Sequence, residues 1–163
     1  MIDEPRIVYT NAQHTAVIRL KIPRAEMQAS MGPAIQEVME TLVRQDIAPT
    51  GPVFAHHFWM DPELFDFEVG VPVAERVEAA GRVVPGRLHA QQVARTIYHG
   101  PYEGLPAAWE AFMAWIKDNG YIVQPNLWEC YLDNPGTVPD AADLRTELNR
   151  PVTTKASLSD WSI

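Results

Sequence analysis

Apolar residues recur at helical spacing in two stretches of the chain and alternate at strand spacing in several others. Leu105, Ala108, Trp109, Phe112, Met113 and Ile116 form one stripe of a 3.6-residue helix, which must be buried. Gly100, Pro101 and Gly104 break what precedes it, Pro106 suits its first turn, and Asn119 with Gly120 supplies a left-handed stop. The spacing therefore predicts a helix over residues 105–119. Ile35, Val38, Met39 and Leu42, with Met31 just before, predict another over residues 33–47, starting at Pro33; residues 24–30 add either an extra turn or a loop.

Residues 6–22 alternate loosely around a kink at 11–13 and read as one long bulged strand ended by Pro23. After the turn Pro49-Thr50-Gly51-Pro52, VFAHHFW reads as a strand. A turn at residues 61–64 then leads into FDFEVGVPV, where Phe65, Phe67, Val69, Val71 and Val73 alternate with Asp66, Glu68, Gly70 and Pro72; the two strands should form a hairpin. The charged residues 75–82 read as a connector between halves, and residues 83–86 as a short strand end with a tight turn. A strand over 89–99 sets Val93, Arg95 and Ile97 against Ala94, Thr96 and Tyr98, and LWECYL and LRTELNRPV are strands that follow the second helix.

The order strand, helix, strand, strand thus occurs twice, over about residues 5–74 and 83–153 of a single domain spanning 1–163. PVFAHHF lies over PNLWECY, and FEVGVPV over TELNRPV. The expected fold is α+β: a tandem repeat about a pseudo-twofold, an antiparallel sheet with both helices on one face and a ligand groove on the other.

On LWECYL, Leu127, Glu129 and Tyr131 point one way and Trp128, Cys130 and Leu132 the other. If the helix covers the second set, Glu129 is left on the groove face, and the repeat alignment adds Phe54, His56 and Phe58 to it. Aromatic walls with few convergent polar groups suit a small-molecule pocket. A carboxylate among them suits a cationic, aromatic or lipophilic ligand, or general acid–base work if burial raises its pKa. The competing reading is a solvated strand glutamate on a half-wet face. His56, matched to Glu129 across the repeat, is expected to pair with it, so that affinity for a fixed-charge cation follows a histidine-like titration.

The net charge of -8 and pI near 5.0, with 13 scattered Lys and Arg, argue against a nucleic-acid surface. No apolar run spans a bilayer and no signal-peptide pattern opens the chain, so a cytoplasmic location is expected, away from membranes. The single cysteine, Cys130, is expected as an inert core thiol under the helix. His56 and His57 face opposite ways on a strand, and no metal-ligand, nucleotide-phosphate, dinucleotide or serine-hydrolase motif occurs, so neither metal nor cofactor is expected. Glu68 and Glu147, at matching repeat positions, are read as structural.

HGPYEGLPAAWEAFMAWIKDNGY, PNLWECYLDNP and LRTELNRPV, with FEVGVPV and VPGRL, resemble the GyrI-like small-molecule-binding domain family, the effector-binding domain of AraC-type and MerR-type transcription regulators. The resemblance covers nearly the whole chain. It implies the tandem fold, a groove at the pseudo-twofold, and Glu129 as the pocket glutamate. It also implies one of three activities: multidrug-type binding of lipophilic cations, hydrolysis of cyclopropane-containing electrophiles by Glu129 with Tyr131 or Tyr98 assisting, or a gyrase-inhibitor-like contact with a protein partner. With no helix-turn-helix extension in 163 residues, the chain is not expected to bind DNA directly. Ligand contacts are expected from Glu129, His56, Phe54, Phe58, Leu127, Tyr131 and Tyr98. The sequence departs from the family at Asn149-Arg150, where an apolar residue is usual, and at Gln45-Asp46, in place of a glycine after the first helix.

Overall fold

The computed structural model describes residues 1–60, 63–134 and 136–154. In chain order the elements are β1 (Arg6–Tyr9), β2 (Gln13–Pro23), α1 (Met27–Gln45), β3 (Phe54–Met60), β4 (Leu64–Val73), β5 (Val84–Leu88), β6 (Gln92–His99), α2 (Leu105–Asp118), β7 (Tyr121–Val123), β8 (Leu127–Tyr131) and β9 (Arg145–Thr154). All strand pairs within the units described below are antiparallel, and the class is α+β. The chain divides into two compact units, one of Asn11–Ala90 and one of Met1–Thr10 with Gln91–Ile163.

In the unit Asn11–Ala90 the strand order is β3-β4-β2-β5. Cα partners Ala16 and Val71, Ile18 and Val69, and Leu20 and Phe67 put six buried apolar residues on one face. Against β2 and β4 packs α1, burying Ala34, Val38 and Leu42. The opposite face carries Arg19 and Lys21 in solvent. This helix starts earlier than the sequence predicts, at Met27, after a 3-10 turn over Arg24–Glu26, and Pro33 lies inside it. A proline there removes one backbone donor, a loss that burial of the flanking stripe offsets. The helix ends on Asp46, held left-handed at φ 56°, where its N–H reaches back to Leu42 and Val43.

Two expectations are corrected in this region. Residues 6–22 are two strands, not one: β2 stays in this unit while β1 pairs with β6 in the other, the break at residues 10–12 freeing it to leave the alignment. Residues 75–82 are more than a connector, since Val77 is fully buried and the Gln45 amide clasps both backbone groups of Glu78. Of the turn expected at 61–64, residues 61 and 62 lie outside the described residues.

In the other unit the order is β1-β6-β9-β8, and β7, which the sequence reading did not anticipate, also pairs with β9. The predicted stripe forms: Ala108, Phe112 and Ile116 of α2 pack on Ala94, Tyr98, Leu148 and Val152. The helix stops at Gly120, φ 82°, as its sequence requires. Each unit therefore contains strand, helix, strand, strand, with the last strand paired to both others: β4 to β2 and β3, β9 to β6 and β8. No helix among the described residues is long and apolar enough to cross a membrane.

Candidate functional site

Which face Glu129 occupies follows from register. Its Cα partner is Leu148, a residue of the core beneath α2, and Tyr131 partners Thr146 two positions along. Glu129 therefore lies on the helix-covered face. Trp128 and Cys130 partner Asn149 and Glu147 on the opposite one. This reverses the expected assignment: the more apolar-looking parity, Trp-Cys-Leu, is not the one under the helix, because polar partners from neighbouring strands serve the other face. Arg95 donates to Asn149 (2.6 Å) and pairs with Glu147 (3.3 Å), and the buried Asn149 donates in turn to Glu147 (3.1 Å). The departure at Asn149 is thereby accommodated, and Arg150 donates to the Gln124 carbonyl.

Glu129 is 8% exposed, and both of its oxygens accept hydrogen bonds. The Trp109 indole N–H of α2 donates to Oε2 at 2.7 Å, and the Tyr131 hydroxyl donates to Oε1 at 2.8 Å. Burial raises the Glu129 pKa, and the two donors oppose that rise. Both are neutral, and no cation among the described residues contributes. The Tyr131 hydroxyl is pushed well above its ordinary range by burial and by the adjoining carboxylate. Tyr102, from the 3-10 turn before α2, sets its ring edge-on to Tyr131 with centroids 5.8 Å apart. Its own pKa is raised by burial and by Asp133 and Glu129.

Tyr98 has a different task. Its hydroxyl donates to the Pro101 carbonyl at 2.8 Å, so the GPYEG loop wraps around it. A Cβ at Gly104 would stand 2.0 Å from that oxygen and one at Gly100 2.6 Å, which is why both positions are glycine. Tyr98 thus anchors the loop that presents Tyr102 and starts α2. Leu127 is buried on the same strand parity as Glu129.

Phe54, His56 and Phe58 belong to β3 of the other unit. His56 contacts the Phe58 ring (4.7 Å), and the Arg19 guanidinium lies over Phe58, which places the group on the charged face away from α1. In that unit the helix-facing parity of β3 is Ala55 and His57, partnering Val69 and Phe67. His57 rather than His56 therefore has the helix-facing parity in its unit, as Glu129 has in its own, a distinction between adjacent strand residues that a low-identity alignment does not make. His57 stacks on Phe67 (5.0 Å) with Phe65 edge-on (5.1 Å), and desolvation lowers its pKa to about 4. Sequence reasoning placed Trp109 only in the core stripe and overlooked Tyr102. The available signal was that a half-buried Trp needs an acceptor for its N–H, and that the one acid of the facing strand supplies it. Cys130, on the face away from α2 rather than under it, has a thiol pushed up to about 12 by burial. No group of three His, Cys, Asp or Glu among the described residues is placed to hold a metal ion.

A family model described as the GyrI-like small molecule binding domain matches residues 3–153. Among solved structures, the C-terminal domain of EcmrR has a TM-score of 0.79 at 20% identity, with 93% of this chain and 98% of that one covered. EcmrR in its DNA complex gives 0.80 at 22%, with 93% of this chain covered; the chain spans 57% of that protein's length. SAV2435 bound to tetraphenylphosphonium gives 0.62 at 12% identity over 93% and 94% of the two chains. A hydrolase from Listeria innocua gives 0.61 at 12% over 91% of each. At these identities the likeness is one of fold. A search of curated proteins finds no match.

Proposed function

Because the chain belongs to the GyrI-like small-molecule-binding domain family, we propose that it binds a lipophilic or aromatic cation against Glu129, as a sensor or sequestering module, and that its two units are halves of a tandem repeat. Glu129 carries this reading. A carboxyl buried beneath a helix, with two neutral donors and no cation among the described residues contributing to its pKa, is costly to ionise and invites a positively charged guest. Trp109, Tyr102 and Tyr131 add aromatic faces, each worth about 0.5–2 kcal/mol to a cation placed over the ring. The tetraphenylphosphonium bound by SAV2435 is a suitable first probe.

By linkage, a ligand at 100 times its Kd stabilises the protein by about 2.7 kcal/mol. Thermal shift with tetraphenylphosphonium should therefore raise the Tm of the wild type and leave Glu129→Gln unmoved. Equal stabilisation of both would overturn the charge pairing. Since a fixed-charge cation needs the carboxylate, its affinity should rise with pH through the raised pKa of Glu129.

A second reading is hydrolysis of a strained electrophile, with Glu129 as general acid–base and Tyr131 assisting. It is supported by the raised Glu129 pKa and the 2.8 Å Tyr131 hydrogen bond. Turnover of a cyclopropane-fused compound, lost in Glu129→Gln, would establish it. Intact compound after prolonged incubation with folded protein would reject it.

A further inference from the structure

Beside Glu129 the sheet carries a second polar group that the reading above leaves unused. Thr146 lies on β9 with none of its surface exposed, and its hydroxyl has no hydrogen-bond partner among the described residues. Register puts it in one row with two tyrosines, Tyr98 on β6 and Tyr131 on β8 being its Cα partners on either side. The next residue on the same face of β9 is Leu148, in the core under α2, so the Thr146 side chain points to the Glu129 side of the sheet. Neither neighbouring hydroxyl serves it. Tyr98 donates to Pro101, Tyr131 donates to Glu129, and Tyr102 offers its ring to Tyr131.

A buried hydroxyl left unpaired has a standing desolvation cost, and a threonine on a strand could be replaced by valine at almost no change of shape. Its position, diagonal to Glu129 across β8 and β9, sets it roughly 7–8 Å away at the backbone, within the length of a fused aromatic ligand. Resting on the assignment of Glu129 as the cation site, we propose that Thr146 is a second ligand contact. The ligand class is then narrower than any lipophilic cation: an aromatic cation that carries an amine or hydroxyl at its far end, which Thr146 hydrogen-bonds.

A matched pair of probes tests this: an N-alkylphenanthridinium and its diamino derivative, alike in charge and ring system and different in hydrogen-bonding groups. Titrated against the full chain, Thr146→Val should weaken the diamino cation roughly fivefold to tenfold and leave the parent unchanged, the loss expected of one hydrogen bond. Thr146→Ser, which keeps the hydroxyl, should retain the preference and guards against a folding defect in the valine variant. If Thr146→Val weakens both cations alike, or neither, Thr146 is structural and the proposal is overturned while the cation site stands, provided Glu129→Gln still abolishes both. If the wild type binds neither cation, the cation site and the Thr146 contact fall together.

Discussion

Glu129 combines deep burial with two neutral donors, so its protonated form is favoured in the folded chain relative to the unfolded one. Its folded pKa lies above the unfolded carboxyl value near ~4.3, and between the two the native state holds a proton that the unfolded chain has released. The contribution to stability is full below the unfolded value and is lost as pH rises through the folded one. Urea unfolding across that window should show Glu129→Gln at least as stable as wild type at neutral pH, with a flatter profile; a glutamine can accept from Trp109 and donate to Tyr131. A large loss of stability in Glu129→Gln would mean the carboxylate is held by a cation after all. Gly104 is the other decisive residue. Alanine there meets the Tyr98 hydroxyl at 2.0 Å, in a buried ring already fixed by its bond to Pro101. Overpacking of this kind costs about 1–3 kcal/mol. Gly104→Ala should lower the unfolding free energy by that much, seen as an earlier denaturation midpoint, and adding Tyr98→Phe, which removes the clashing oxygen, should recover part of it.

At the scale of elements, α1 and α2 end differently. The stop at Gly120 fits its left-handed φ of 82°, whereas α1 stops on Asp46 at φ 56°, a conformation aspartate tolerates less well than glycine. Asp46→Gly should therefore stabilise the chain by about 0.5–1 kcal/mol, less whatever the freer unfolded chain takes back, as read from the midpoint of chemical denaturation. An unchanged or lower midpoint would show that Asp46 contributes something that glycine lacks. The departure that the sequence shows after the first helix is thus a strained cap and leaves the element itself intact.

At the scale of the whole molecule, a buried histidine of the unit Asn11–Ala90 contributes to acid sensitivity. His57 is neutral in its aromatic stack, with a folded pKa of about 4 against an ordinary value of 6.5. Its contribution to stability is fully present above ~6.5 and is lost as pH falls toward about 4, with a magnitude on the order of 3 kcal/mol. Replacing it by phenylalanine, which fits between Phe65 and Phe67 and cannot be charged, should remove most of the acid sensitivity between those two pH values. A His57→Phe profile parallel to wild type would assign the sensitivity to other groups. The slopes of His57 and Glu129 oppose each other, so His57→Phe and Glu129→Gln should tilt the stability profile in opposite directions.

The placement of both helices along the chain, the hairpin of β3 and β4 and the left-handed stop at Gly120 were legible in the sequence, which also singled out Glu129 as an acid in an apolar strand. Each depends on local periodicity, on a special backbone angle, or on a charge in an apolar strand. Three further features depend on partners distant in the chain. Strand alternation offers two faces and does not say which one a helix will cover; only the register of β8 on β9 put Glu129 beneath α2. The same ambiguity set His56 beside Glu129 in the alignment, although His57 and not His56 has the helix-facing parity in its unit. And β1, contiguous with β2 by pattern, pairs with β6 because a backbone ladder forms wherever a free strand edge is nearest in space, however far away it lies along the chain.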